Sequence, residues 1–363
     1  MSPDPAELAT RPGPRSSDQR DDSDPAAAPK HQQPLRDNAA VLSECAAGTR
    51  RDLLRLPGGD VEIFTVGDGP PLVLMHPLNI GAGVFAWQFA GLAERYRVIC
   101  VHNPGVGATT WNEDITMRGL AWFHRMVLEE LSVEPPFHVL GACFGGNVAQ
   151  EFALLHPADC ASLVLVGSYP PGDRDGGPRP LLVTAREEFD LMSGTGGQGL
   201  EGERAVLEDL LLRSESMSTW FGLAYLQAFA ANPSPLDRLP EIVAPTLILR
   251  GQLDTMMSPR HVVALRAAIP GAEFIELAST GHFPYLTHRD MFNCVLISFL
   301  GHAGKNTALK FSPIPLSTRV TRVPSAARIK CCVSSASRTK RIVVIRFASY
   351  VYDVVFLRWK IKS

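Results

Sequence analysis

An α/β fold, a mostly parallel sheet with helices on both faces and an inserted helical lid, is what three features of the chain predict. Short runs such as Pro71-Leu72-Val73-Leu74-Met75 and Thr246-Leu247-Ile248-Leu249 are continuously apolar, as strands covered on both faces are. Segments of helical spacing separate them, the rhythm of strand–helix–strand units with right-handed crossovers. Between Pro170 and Pro240 that rhythm breaks into a Gly/Pro/Asp-rich loop, a glycine cluster at Gly194 to Gly199 and leucine-bearing helices. An insertion of this kind over a sheet's carboxyl edge reads as a lid, or as plain helical packing around the core.

Taken in order, residues 1–48 are rich in Pro, Ala, Ser and Asp and have little to bury, so they are expected to be disordered. Residues 49–169 form the first part of the core. A strand pair, Asp52 to Leu56 and Val61 to Val66, flanks the turn Pro57-Gly58-Gly59-Asp60. The buried strand Pro71 to His76 follows, then a helix from Val84 to Arg95, the strand Arg97 to Val101 and the loop Asn103 to Gly107. A helix over roughly Met117 to Leu131 sets Leu120, Phe123, Val127 and Leu131 near one face. Strand Phe137 to Leu140, a tight turn, helix Asn147 to Leu155 and strand Ser162 to Gly167 complete this part. The lid spans 170–242. The sheet resumes over 243–302 with strands Thr246 to Gly251 and Glu273 to Leu277 and a closing helix from Asp290 to Leu300. Residues 303–363 carry thirteen Lys or Arg against the single acid Asp353, and the run Ile342 to Phe347 has no evident partner strand. Such a basic tail after a complete fold is expected to lie outside it; a basic arm for nucleic acid or membrane is the alternative.

The formal net charge of −2 argues against reading the whole chain as a nucleic-acid binder. Seven cysteines, an odd number without C-x-x-C spacing, fit a reducing compartment. No charged-then-apolar leader is legible, and no apolar run reaches the roughly 18–20 residues of a membrane span, so a cytoplasmic protein is expected. The histidines form no H-E-x-x-H or carboxylate cluster, and Gly105-Val106-Gly107 lacks the phosphate-loop and dinucleotide fingerprints. Neither a metal nor a cofactor is expected.

One stretch carries the chemistry. Leu140-Gly141-Ala142-Cys143-Phe144-Gly145-Gly146 is a G-x-C-x-G nucleophile elbow, a strained strand-to-helix turn that lifts one side chain into the open. Small residues at Gly141 and Gly145 fit the crowding of such a turn. Downstream, Gly251-Gln252-Leu253-Asp254 sets a carboxylate just past a strand end. Gly281-His282 sets an imidazole on the loop after the following strand. Both lie where open parallel sheets bind ligands.

In this order the motifs resemble the α/β-hydrolase superfamily from roughly Leu53 to Gly301. The resemblance implies Cys143 as nucleophile, His282 as base and Asp254 as the acid that orients it, with Asp173 or Asp175 as alternative acids. It also implies an oxyanion hole from the backbone N–H of Phe144 and one from the loop after His76. Relatives have His-Gly there; this chain reads His76-Pro77-Leu78, and proline has no N–H, so the second donor falls to Leu78.

Sulfur sets the function class. A thiolate is a stronger nucleophile than serine, and its attack on a thioester gives an enzyme thioester of similar energy, open to carbon or amine nucleophiles. The chain is therefore similar to cysteine-dependent acyl-processing enzymes of polyketide and nonribosomal pathways, including tetramate-forming Dieckmann cyclases. That resemblance implies a small acyl substrate, presented by an acyl or peptidyl carrier protein and released by cyclisation or transfer, with no nucleic-acid or membrane partner. Hydrolysis of an ester, lactone or thioester, as in thioesterases and dienelactone hydrolases, is the alternative. A non-catalytic binding protein on the same fold is the second.

Overall fold

The computed structural model of the protein describes residues 36–78, 80–111, 115–168, 201–215, 224–225, 227–228, 237–303, 339–348 and 351–360. Its framework is a sheet of strands β1 (Arg50–Leu56), β2 (Gly59–Val66), β3 (Pro71–Met75), β4 (Arg97–Val101), β5 (Phe137–Ala142), β6 (Cys160–Val166), β7 (Thr246–Gly251) and β8 (Glu273–Leu277). They lie in the order β1-β2-β4-β3-β5-β6-β7-β8. The pairs β1–β2 and β2–β4 are antiparallel, and every pair from β4–β3 to β7–β8 is parallel.

Each central strand is buried on both faces, which is why its sequence shows no polar alternation. Leu72 and Leu74 of β3, Val98 and Cys100 of β4 and Leu247 and Leu249 of β7 enter one core layer. Their neighbours Val73, Met75, Ile99, Val101 and Ile248 enter the other. Helices α1 (Asn38–Cys45), α2 (Ala86–Leu92), α5 (Glu201–Glu215) and α8 (Arg289–Ala303) cover the first layer. Helices α3 (Met117–Glu130), α4 (Phe144–Leu155) and α6 (Pro259–Ala268) cover the second. A single helical turn, α7 (Pro284–Thr287), precedes α8. Among the described residues no helix is long and apolar enough to cross a membrane.

Several expectations need correction. Disorder does not extend through residue 48: Asp37 caps α1 by accepting from the Ala40 N–H at 2.8 Å, and Val41 and Leu42 are buried. Two apolar side chains on one turn are enough when Leu207 and Leu210 of α5 share their core layer. The helix expected from Val84 to Arg95 is a 3₁₀ turn, Ala82–Phe85, followed by the shorter α2. Helix α6 was not foreseen, although Pro259 at its first position and buried Val262 and Leu265 mark it. The run Ile342 to Phe347 does have a partner: β9 (Thr339–Ala348) pairs antiparallel with β10 (Val351–Lys360). Of the segment expected as a lid, α5, the helical residues 224, 225, 227 and 228, and residues 237–242 with a 3₁₀ turn at Leu239–Glu241 are described.

Leu42→Ala tests whether α1 belongs to the folded unit. Truncating a fully buried leucine costs about 2–5 kcal/mol, so the denaturant midpoint should fall accordingly. A loss below about 0.5 kcal/mol, the range of surface substitutions, would show α1 to be an undocked appendage.

Candidate active site

Cys143 stands between β5 and α4 with φ 51° and ψ −118°, a left-handed conformation that few non-glycine residues adopt. Tertiary contacts hold it there. Its N–H donates to the Val166 carbonyl at 2.8 Å, and its own carbonyl accepts from the Gly146 N–H at 3.0 Å and the Ser168 hydroxyl at 3.1 Å. The turn leaves no room for neighbouring side chains: a Cβ on Gly141 would sit 2.3 Å from the Gly145 carbonyl oxygen, and one on Gly145 would sit 2.1 Å from that of Met75. Cys143 itself is half-buried. By contrast, Cys100 and Cys160 are buried; desolvation raises the thiol pKa of both, that of Cys160 to about 12.

His282 and Asp254 meet although they are 28 residues apart: Nδ1 and Oδ2 are 2.9 Å from one another, and both side chains are fully buried. The other carboxylate oxygen, Oδ1, accepts from the Met256 and Met257 N–H groups at 2.8 and 2.9 Å. Arg250, at the end of β7, secures this loop by donating to the Met257 carbonyl at 2.5 Å and the Asp254 carbonyl at 3.0 Å. Burial is the largest influence on each group and favours its neutral form. The imidazole and the two backbone donors nonetheless carry Asp254 below the usual carboxylate value. The charges of Asp254 and Cys143, with their hydrogen bonds, raise His282 to about 10. The second ring nitrogen, Nε2, is buried and lacks a hydrogen bond of full geometry, while the Cys143 sulfur is near enough to act on the ring. Such looseness is common at sites without substrate.

The loop after β3 is held from behind. The His76 ring accepts the Asn103 N–H on Nε2 at 3.1 Å, so Nδ1 carries the hydrogen it donates to the Pro77 carbonyl at 2.7 Å. Burial holds His76 neutral, with a pKa near 3. A trans peptide sets C=O and N–H on opposite sides, so fixing the Pro77 carbonyl also aims the Leu78 N–H. Phe144, the first residue of α4, is buried, and Tyr225 packs edge-on against it with ring centroids 5.3 Å apart. The Tyr225 hydroxyl donates to the Pro104 carbonyl at 2.8 Å, joining the helical residues 224 and 225 to the loop after β4.

A second buried carboxylate–imidazole pair, Glu62 and His102 at 2.9 Å, supports the same loops. His102 Nε2 accepts the Ala82 N–H at 2.9 Å, and Glu62 also accepts the Ala108 N–H at 2.8 Å. Burial opposes ionisation of Glu62, but the bond to His102, the charge of that ring and the Ala108 and Arg51 donors take it to about 2.

Of the residues singled out in the sequence, Cys143, His282 and Asp254 converge, and Phe144 and Leu78 are described where each follows its motif. Asp173 and Asp175 lie outside the described residues. Arg250, Tyr225 and the His76–Asn103 support escaped the sequence, since no local pattern marks a residue that acts through a distant backbone group. Among the described residues no three His, Cys, Asp or Glu are grouped to hold a metal ion.

Residues 72–293 match the Alpha/beta hydrolase family. The chain is 30% identical over 282 residues to polyketide synthase ThaQ of Burkholderia thailandensis, an overlap of 74% of this chain and 14% of ThaQ. The chain thus spans only a small part of that relative's length. It is 26% identical over 261 residues to a pimeloyl-[acyl-carrier protein] methyl ester esterase of Aeromonas hydrophila, covering 66% of this chain and 99% of the esterase. In fold it is similar to the crystal structure of bromoperoxidase from Bacillus anthracis, with a TM-score of 0.61 at 21% identity over 69% of this chain and 100% of the other.

The raised pKa of His282 carries a pH signature. A group whose folded value lies above its ordinary 6.5 stabilises the fold fully below that pH, and the contribution disappears as pH rises through about 10. Thermal midpoints of wild type and His282→Gln should therefore diverge in the acid range and converge towards pH 10. Parallel curves across the range would contradict the assignment.

Proposed function

We propose that this chain, which belongs to the alpha/beta hydrolase family, is a cysteine-dependent acyl-transfer enzyme with Cys143 as nucleophile, His282 as base and Asp254 as its orienting acid. One observation carries the reading: a thiol at a left-handed elbow residue beside a buried imidazole that a carboxylate holds by its far nitrogen. Asp254 fixes the tautomer and favours the imidazolium that forms when the ring takes the thiol proton. The Cys143 sulfur then attacks the acyl carbonyl. The Phe144 and Leu78 N–H groups receive the developing oxyanion, the former at the start of α4, where the helix field also favours negative charge.

The substrate we favour is a carrier-bound β-ketoacyl-aminoacyl thioester. Collapse of the tetrahedral adduct breaks the bond to the carrier sulfur, which leaves as a thiol with the proton from His282, and the acyl group rests on Cys143. His282, now neutral, removes a proton from the carbon between the ketone and the amide. That carbanion attacks the enzyme thioester, a carbon–carbon bond closes the ring, and Cys143 leaves as thiolate. This is a Dieckmann-type condensation with no net redox change. The match to part of a polyketide synthase supports a place in natural-product assembly. The match to an esterase of an acyl-carrier-protein methyl ester supports carrier presentation.

Hydrolysis is the second reading, favoured by the near full-length match to that esterase. In it water replaces the carbanion and the free acid is released.

Intact-mass measurement after mixing the chain with a synthetic β-ketoacyl-aminoacyl thioester separates these readings. An acyl adduct on Cys143 followed by a ring product supports the condensation, and free acid alone supports hydrolysis. Cys143→Ala should form no adduct. Cys143→Ser should lose at least about 100-fold in ring formation, about 2.7 kcal/mol of transition-state stabilisation, while keeping slow ester hydrolysis. Undiminished ring formation in the serine variant would remove the case for thiolate chemistry.

A further inference from the structure

Tyr285 is completely buried, and its hydroxyl has no hydrogen-bond partner among the described residues. Leaving such a group unpaired carries its full desolvation penalty, and phenylalanine would fill the same space without that cost. Native interiors rarely keep an orphaned hydroxyl without a reason.

The ring cannot turn away to find a partner. It packs against Phe85 at 5.2 Å, Phe292 at 5.9 Å and Phe283 at 6.0 Å between centroids, and the Tyr285 carbonyl accepts from the Gln88 side chain at 2.8 Å. Phe283 in turn stands 5.4 Å from the His282 ring. Phe85 closes the 3₁₀ turn that follows the Leu78 loop. Tyr285 is thereby wedged between the segment that carries the base and the segment that follows the expected oxyanion donor. Burial raises the phenol well above its ordinary pKa, and the charges of Cys143 and Asp254 act on it in the same direction. At neutral pH it is a proton donor.

We infer that the Tyr285 hydroxyl donates a hydrogen bond to the β-keto oxygen of the acyl chain held on Cys143, and so selects chains that carry that oxygen. The inference rests on the acyl-transfer reading above. The thioester oxygen is already assigned to the Phe144 and Leu78 N–H groups, and a saturated chain offers this donor nothing. When the chain folds back for ring closure, the ketone lies next to the attacking carbon, hence beside the thioester. A hydrogen bond to the ketone draws electron density from that carbon and acidifies the proton that His282 removes. Tyr285 is thus a specificity residue that assists the carbanion step without giving up its own proton.

Tyr285→Phe in the full chain tests this directly, because it removes only an unpaired oxygen. Wild type and variant are compared on two pantetheine thioesters, a β-ketoacyl-aminoacyl chain and the matching acyl-aminoacyl chain without the ketone. Acylation of Cys143 is followed by intact mass, with kcat and KM measured separately. The ratio of kcat/KM for the keto chain over the deoxo chain should fall at least 10-fold in the variant, with a thermal midpoint equal to or above that of wild type. An unchanged ratio overturns the inference, whether activity is kept or lost equally on both chains. So does a lowered midpoint with an unchanged ratio, which would make the hydroxyl a structural group satisfied by water. Absence of any adduct on wild-type Cys143 from either thioester is a separate result: it overturns the acyl-transfer reading, and this inference with it.

Discussion

The backbone at Cys143 is the constraint around which the rest is arranged. A non-glycine residue at φ 51° costs about 1–3 kcal/mol, and it persists because neighbouring elements over-determine it. The Val166 carbonyl takes its N–H, the Ser168 hydroxyl takes its carbonyl, and Gly141 and Gly145 let β5, α4 and the end of β3 close to backbone contact. These approaches tie the turn to the Met75–His76 segment, so the loop carrying Leu78 and the start of α4 at Phe144 share one frame. Any side chain larger than hydrogen at those glycines would push the frame apart.

Inside that frame the protein keeps charges where water cannot reach them, which is costly unless each is paired and hydrogen-bonded. Asp254 is satisfied by His282 and by two backbone N–H groups, with Arg250 bracing the loop that presents them. Glu62 and His102 use the same chemistry elsewhere, with a telling difference. The far nitrogen of His102 is closed off by the Ala82 N–H, whereas that of His282 has no full hydrogen bond and is left toward Cys143. One imidazole holds a loop, and the other keeps its far nitrogen for Cys143.

Residues ahead of the matched family region add a further brace. The Asn38 side chain accepts the Gly83 N–H at 2.6 Å, just beyond the Leu78 loop, and Arg36 donates to Asp209 of α5 at 2.6 Å. Helix α1 and the residues just ahead of it therefore link α5 to the turn that follows β3. Their removal would loosen both together, since Val41 and Leu42 share a core layer with Leu207 and Leu210.

The amino-acid sequence by itself determined the strands of the eight-stranded sheet, the elbow and the order of the three motif residues. Apolar runs as short as Leu72 to Met75 state two-sided burial outright, and a turn that tolerates only glycine at residues 141 and 145 announces its geometry in its letters. Local signals failed where stability comes from distant partners. Helix α1 looked like part of a polar tail because only Val41 and Leu42 anchor it, and the Ile342 to Phe347 run looked unpaired because its register with Val351–Lys360 is not written in either strand alone. Only the tertiary structure decided that His282 Nδ1 meets Asp254, that Arg250 steadies the acid's loop, that His76 aims the Leu78 peptide and that the Tyr285 hydroxyl stands unpaired. The physical reason is range: propensity and steric demand act over a few residues, whereas burial, desolvation and hydrogen-bond satisfaction depend on groups that meet only once the sheet has closed.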